Sequence, residues 1–166
     1  MLLFARRPLS DTSLRDIATE AQVDVAYVHR AFGSKTEIFR QALHSLHVID
    51  LAAPATPDDL IERICDLALT RDPRREDEVR PLHLIIQSCT CREAREILAE
   101  FIATHYARPL AAGFGRDDIG AAMFAISLMT GFVTLRVVLG EPTLQDIPEA
   151  ELRALLARAL RTVMEP

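Results

Sequence analysis

The sequence predicts an all-α protein, and three observations support this fold class. Alanine and leucine dominate the 166 residues while only 5% are aromatic, which favours helices packed on helices over a β-sandwich. Helix-start patterns recur along the chain, with apolar residues at helical spacing between them. No segment alternates strictly between apolar and polar residues, so we predict no strand.

Composition also narrows the class of protein. A chain of this length that is 49% hydrophobic can bury a continuous core, which excludes intrinsic disorder. Three cysteines and no secretory pattern at the start favour a reduced, cytoplasmic setting. The net charge of −5 arises entirely in residues 51–166, since residues 1–50 carry equal numbers of basic and acidic side chains. This distribution is compatible with a small DNA-reading unit carried by an acidic domain.

Two short helices joined by a tight turn are predicted near the start of the chain. Thr12 or Ser13 caps the first helix, Gln22 and Val23 form the turn with Val23 in the core, and Asp24 caps the second helix. The second helix buries Val28 and the adjoining Phe32, and it turns small and polar residues outward: Ala26, Tyr27, Arg30 and His29. This pattern is typical of a helix-turn-helix, whose second helix can enter the DNA major groove.

The remainder of the chain continues as helices, about nine in all. Further helix starts are predicted at Ser34–Glu37, Thr56–Asp59, Thr90–Glu93 and Pro148–Glu149.

One stretch, Ile119 to Leu135, carries no charged residue and is tested against a membrane span. It is shorter than the roughly 20 residues that a bilayer requires and includes several polar residues, so we predict no membrane segment. A helix that is apolar on all sides is expected to pack against its own core on one side and against a partner on the other. The alternative is that this helix is buried within the core of its own domain. With the following amphipathic helix it predicts a four-helix homodimer interface. The expected contact residues are Ser127, Gly131, Leu135, Leu152, Leu156 and Leu160.

Residues 12–39 resemble the DNA-binding head of the TetR family of transcriptional regulators. The resemblance is carried by Leu14-Arg15-Asp16-Ile17-Ala18, by Ala21-x-Val23 and by Phe32-Gly33-Ser34-Lys35-Thr36-Glu37-Ile38-Phe39. It implies a three-helix DNA-binding domain in residues 1–50 and a larger helical domain in residues 51–166 that binds an effector and dimerises.

The resemblance also implies a set of DNA contacts. A phosphate contact falls on Thr12 or Ser13, and another on Lys35, the only lysine in the chain. The recognition helix supplies the remaining contacts, from Val25, Ala26, Tyr27, His29 and Arg30. The alternatives are that Thr12 or Ser13 is only a cap, that Lys35 is only solvated and that Tyr27 is a surface aromatic.

The sequence departs from the family pattern in three places. Gln22 replaces the usual glycine of the turn, and His29 replaces a tyrosine of the recognition helix. The first helix is reduced to its last turns, in residues 2–7, so either residues precede Met1 in the native protein or the head is poorly supported.

An effector pocket is expected among the helices between residues 57 and 139. Side chains that combine apolar walls with a polar handle are candidates, although each is also compatible with plain core: Phe101, His105, Met123, Phe124, Ser127 and Thr130. The scarcity of charge in residues 119–135 favours an apolar ligand.

Enzyme chemistry has no support in the sequence. No glycine-rich phosphate loop, nucleophile elbow or zinc-protease motif is present, and we predict neither a cofactor nor a metal. His44, His47 and Asp50 have a spacing that could hold a metal, but an ordinary polar surface is the simpler interpretation. The three cysteines, Cys65, Cys89 and Cys91, are interpreted as core thiols, with a redox sensor as a remote alternative.

Together these patterns predict a homodimeric repressor that leaves double-stranded operator DNA when a small apolar ligand binds. The alternative is a ligand-binding helical dimer that no longer binds DNA.

Overall fold

The computed structural model describes residues 2–45, 51, 56–69 and 81–165. Within these ranges all regular secondary structure is helical and no strand occurs, which confirms the all-α prediction. The eleven helices of these ranges exceed the expected nine because the chain breaks into several short ones. They are α1 (Leu2–Arg6), α2 (Leu14–Glu20), α3 (Val25–Phe32), α4 (Lys35–Ser45), α5 (Pro57–Leu69), α6 (Pro81–Ser88), α7 (Arg92–Ile102), α8 (Arg108–Gly113), α9 (Gly120–Val133), α10 (Pro142–Asp146) and α11 (Glu149–Met164).

Three shorter helical turns connect these elements. Leu9–Asp11 form a 3-10 turn, while Ala103–Ala107 and Thr134–Val138 are π-helical turns that continue α7 and α9.

The chain forms two compact units. The first unit contains the described residues of 1–48 and 77–102, and the second contains those of 49–76 and 103–166. The sequence predicted a single division near residue 50, so the structure differs by placing α6 and α7 in the first unit. The physical reason is packing, since α6 lies against α1 and α7 lies against α4.

A small aromatic core holds the first unit together. Phe4 is 1% exposed and meets Phe39 edge-to-face, with ring centroids 5.3 Å apart. Leu9, Leu43 and Leu84 are also fully buried. The five residues of α1 therefore provide a core aromatic residue.

The helix-turn-helix contributes less to this core than the sequence predicted. Ala18 and Val28 are buried, as expected, at 3% exposure each. Val23 and Phe32 are exposed instead, at 41% and 38%, so their assignment to the core is wrong. Val23 lies in the turn between α2 and α3, and Phe32 is the last residue of α3.

The second unit is built around α5, α8, α9 and α11. Its core contains residues from all four helices: Leu60, Ile61, Cys65, Leu110, Ala111, Ala122, Ala125, Leu152, Leu160 and Met164. At the surface, Arg153 joins α11 to α5 by pairing with Glu62 at 3.1 Å and with Asp66 at 2.7 Å. Because these pairs are partly exposed, buried apolar area is the main stabilising contribution to this unit.

Candidate nucleic-acid interface

The second helix of the head begins at a capping box. The Ser13 hydroxyl oxygen accepts a hydrogen bond from the Asp16 amide at 3.2 Å, and the Asp16 carboxylate accepts one from the Ser13 amide at 2.8 Å. The hydrogen bonds from Ser13 lower the pKa of the Asp16 carboxyl, so this cap carries a negative charge at neutral pH. Thr12 is buried, and its hydroxyl donates to the Pro8 carbonyl at 3.0 Å. Ser13 is therefore the exposed member of the pair that the sequence left open.

The turn between α2 and α3 is closed by backbone hydrogen bonds. Gln22 has a φ of 54°, the left-handed conformation that glycine adopts most easily. The amide of Val23 reaches back to the Ala18 carbonyl at 3.0 Å, which terminates α2. Asp24 then caps α3 by accepting from the Ala26 amide at 2.7 Å. Gln22 thus holds the turn in the conformation that the family's glycine would supply.

The outer surface of α3 presents the predicted recognition residues together. Val28 anchors the helix in the core, whereas all five residues predicted to contact DNA from this helix are exposed: Val25, Ala26, Tyr27, His29 and Arg30. Tyr27 is 55% exposed. The helix can therefore offer apolar, aromatic, hydrogen-bonding and cationic groups to one groove.

Lys35 opens α4, and its ammonium group has two partners within the first unit. The Nζ atom lies 3.1 Å from Glu93 Oε2 and donates to the Leu9 carbonyl at 3.1 Å. The sequence predicted that Glu93 would close a capping box with Thr90, so its pairing with Lys35 was missed. No local pattern could have revealed this pairing, because it depends on how α7 packs beside α4.

Family comparison agrees with this geometry. Residues 1–42 match the family model described as "Bacterial regulatory proteins, tetR family", and residues 58–164 match "Tetracyclin repressor-like, C-terminal domain". The chain belongs to the TetR family. A search of curated proteins finds no match to the chain.

TetR family proteins are DNA-binding transcriptional regulators, not enzymes as a class. They bind small-molecule effectors, act as dimers and are soluble.

The residues predicted for the effector pocket of this TetR family chain are divided between the two units. Phe101 is buried in the first unit, where its ring meets that of His44 edge-to-face at 6.0 Å, whereas the other five candidates belong to the second unit. Met123 packs against the second unit's core. Phe124 is 59% exposed, and Ser127 is exposed with its hydroxyl donating to the Met123 carbonyl at 2.9 Å. The remaining two, His105 and Thr130, are half-buried. The assignment of these six residues to an effector pocket therefore stays a prediction: one lies in the first unit, one in the turn after α7 and four on α9.

Within the described part of the second unit, several apolar side chains of α9 and α11 are exposed. The exposed residues follow helical spacing along α9 and past the π-helical turn after it, and α11, which packs on α9, adds the exposed Leu155. This "α9–α11 face" consists of Phe124, Ser127, Leu128, Gly131, Leu135, Leu139 and Leu155. By length and composition the helix Gly120–Val138 could also cross a membrane, and 17% of its 18-residue apolar window is buried within the chain; one such helix alone is weak evidence for a span.

The predicted dimer residues divide between this face and the core. Ser127, Gly131 and Leu135 lie on the face, but Leu152 and Leu160 are buried at 3% and 1% in the second unit's own core. Their assignment to a dimer contact is corrected, because α11 needs that side to pack on α5 and α9. Leu156, the remaining predicted contact, is half-buried and also packs against the core. The exposed members that sequence reasoning missed are Phe124 (considered only for the pocket), Leu128, Leu139 and Leu155.

The structure also locates the residues considered for metal binding and for redox chemistry. His44 is exposed on α4, whereas His47 and Asp50 lie outside the described residues. Within the described part of the chain, no group of three or more metal-ligating side chains occurs. Cys65 and Cys91 are buried, as expected of core thiols, but Cys89 is exposed and that assignment is wrong. Burial raises the pKa of the Cys65 thiol to about 11, so this thiol is neutral and unreactive at pH 7.

Proposed function

We propose that the protein is a homodimeric transcriptional repressor that reads operator DNA through α3. The observation that supports this most directly is the surface of α3, which exposes Tyr27, His29 and Arg30 while Val28 holds the helix in place. The family's two domains accompany this surface in one chain. The alternative is a ligand-binding dimer without DNA affinity. The contact between Phe4 and Phe39 in the core of the first unit favours the DNA-binding function, because it supports a folded helix-turn-helix domain.

The proposed roles follow from the chemistry of each group. Arg30 and Tyr27 can donate hydrogen bonds to base edges or phosphates in the major groove. The exposed Ser13 lies at the start of α2, where a phosphate is favoured by the helix dipole. His29 is exposed on the same helix, and an imidazole N–H can donate a hydrogen bond to a phosphate oxygen.

Fluorescence anisotropy on a duplex from upstream of the protein's own coding region tests this function. We expect sequence-selective binding: random duplex should displace the labelled duplex poorly, and the affinity should fall steeply as the salt concentration rises. Arg30→Ala should weaken binding by about tenfold or more, within the range for one base or phosphate contact. Arg158→Ala removes the same charge from an exposed position on α11, in the second unit, and should change affinity little. Equal affinities of the two variants would refute the assignment of α3 as the recognition helix.

We further propose that two copies associate through the α9–α11 face. Isolated surface leucines are ordinary, but a contiguous apolar stripe on a soluble chain indicates a partner surface. Two such pairs of helices make a four-helix interface related by two-fold symmetry. Each helix contributes a half-exposed leucine to this face, Leu128 of α9 at 42% and Leu155 of α11 at 41%.

Sedimentation velocity distinguishes this interface from others. Leu128→Glu should give a folded protomer of half the mass, because an interface cannot bury an unpaired carboxylate without a large cost. Ala112→Glu places the same charge on an exposed position of α8 and should remain dimeric. A Leu128→Glu protein that sediments as a stable dimer would exclude this face.

The proposed effector is a small apolar molecule bound in the second unit. Support comes from α9, which carries no charged side chain and packs Met123 and Met129 against the core. Such a ligand releases the operator only if it binds the DNA-free state more tightly than the DNA-bound state. Screening lipophilic compounds for a raised melting temperature and then for loss of anisotropy tests both requirements. Compounds that stabilise the protein without releasing DNA would refute an inducer role for them.

A further inference from the structure

We propose that Glu93 is an internal competitor for Lys35, so that α7 restrains DNA binding by holding the lysine that would contact a phosphate. This inference rests on the proposed DNA-binding function and concerns a residue of α7, outside the helix-turn-helix. It assigns a role in DNA binding to α7, which begins more than forty residues after the end of the predicted DNA-binding domain, residues 1–50.

The geometry around Lys35 already satisfies most of its hydrogen-bonding capacity. An ammonium group has three N–H donors, and two partners lie within 3.1 Å, the Glu93 carboxylate and the Leu9 carbonyl. The Lys35 side chain is only 26% exposed, whereas the side chain of Glu93 is 55% exposed. Lys35 is therefore directed into the first unit, and a phosphate contact requires it to leave Glu93.

A carboxylate suits this position for the same reason as a phosphate. Lys35 is the first residue of α4, where the exposed amide groups of the helix favour a nearby anion. Ser34 uses its hydroxyl to accept from the Glu37 amide at 3.2 Å, so the helix end is otherwise capped. Glu93 thus gives Lys35 the kind of charge partner that DNA would supply.

The position of Glu93 is fixed by further contacts between the same two helices. Arg40 pairs with Glu100 at 3.1 Å, and His44 packs its ring against Phe101. The three contacts occur in the same order along α4 and α7, so the helices run parallel through this region. Any shift of α7 along α4 therefore changes the distance between Glu93 and Lys35.

The expected size of the effect is modest for each head. Ion pairs with this degree of exposure correspond to factors of up to about fivefold in an equilibrium constant. A dimer that binds through two heads would show the product of the two factors, up to about 25-fold.

A double-mutant cycle measured by anisotropy tests the inference. Glu93→Gln should tighten binding to the operator duplex by about two- to fivefold per head, and Lys35→Ala in the same chain should abolish this gain. Glu96→Gln removes the same charge from an exposed position on α7 and should change affinity less than twofold. Equal effects of Glu93→Gln and Glu96→Gln, or a gain that persists without Lys35, would overturn the inference.

A second measurement examines the pair without relying on affinity. Because Lys35 is the only lysine, reductive ¹³C-methylation gives one lysine signal besides the terminal amine. Glu93→Gln should shift this signal in the free protein, and operator DNA should shift it in the wild type. A lysine signal unmoved by Glu93→Gln would refute the pair. Absence of selective DNA binding in the wild type and every variant would instead refute the proposed function.

Discussion

Replacing Gln22 by glycine should stabilise the protein, because this residue adopts a φ of 54° in the turn of the head. A non-glycine residue in the left-handed region costs about 1–2 kcal/mol relative to the helical region. Glycine avoids this strain but loses about 0.4–1 kcal/mol through the greater freedom of the unfolded chain. The net expectation for Gln22→Gly is a gain between about 0 and 1.6 kcal/mol, with a midpoint near 0.8 kcal/mol.

Urea and thermal unfolding measure this gain. For a chain of this size, 1 kcal/mol corresponds to a shift of about 2–4 °C in melting temperature, so the midpoint of this range predicts an increase of about 2–3 °C. Ala21→Gly is the matched control, since Ala21 has a helical φ of −82° and has no strain to lose. That variant should be less stable than the wild type by about 0.5–1 kcal/mol.

The outcome also bears on the turn itself. The hydrogen bond from the Val23 amide to the Ala18 carbonyl does not involve the Gln22 side chain, so Gln22→Gly should retain operator affinity. If Gln22→Gly is no more stable than the wild type while Ala21→Gly behaves as expected, the strain argument is wrong.

Other consequences of the structure can be measured independently. An aromatic disulfide reagent at neutral pH should react with Cys89 in the native protein, whereas Cys65 and Cys91 should react only after denaturant is added. Equal reaction rates of the three thiols would contradict the burial of Cys65 and Cys91. The pKa of Cys65 is raised to about 11 in the folded state, so the unfolded thiol loses its proton first; stability should fall by roughly 1.4 kcal/mol per pH unit between about pH 9 and 11. A Cys65→Ala protein should show a flatter alkaline profile in urea titrations, and an unchanged slope would count against this origin. Arg136→Ala should destabilise the second unit by about 1–2 kcal/mol, because Arg136 donates a hydrogen bond to the Leu69 carbonyl at the end of α5 at 3.3 Å. Arg158→Ala, at an exposed position, is the control. Equal effects of the two variants on the melting temperature would refute this role of Arg136.

Local interactions explain what the sequence could predict. Ser13 and Asp24 cap helices through atoms two or three residues away, so their patterns are visible without a fold. The exposure of Tyr27 and Arg30 follows from the spacing around Val28 in the same way. The helix-turn-helix and its recognition surface were accessible for this reason.

Choices between two apolar faces explain what the sequence could not predict. Leu152 and Leu155 both lie on α11, but only the first is buried, because α5 and α9 pack against one side of that helix. Phe101 resembled a pocket residue, yet its place in the first unit depends on where α7 packs. The pairing of Lys35 with Glu93 is another case, since residues distant in sequence become neighbours only in the folded unit.

The interleaved composition of the first unit limits how such a head can be exchanged between proteins. A chimera joined once near residue 50 would transplant α1 to α4 but leave behind α6 and α7, which pack against α1 and α4. The transplanted segment would lose the covering of its aromatic core, and Lys35 would face whatever residue the recipient carries in place of Glu93. Domain shuffling, in the laboratory or by recombination, therefore has to move residues 77–102 together with residues 1–48.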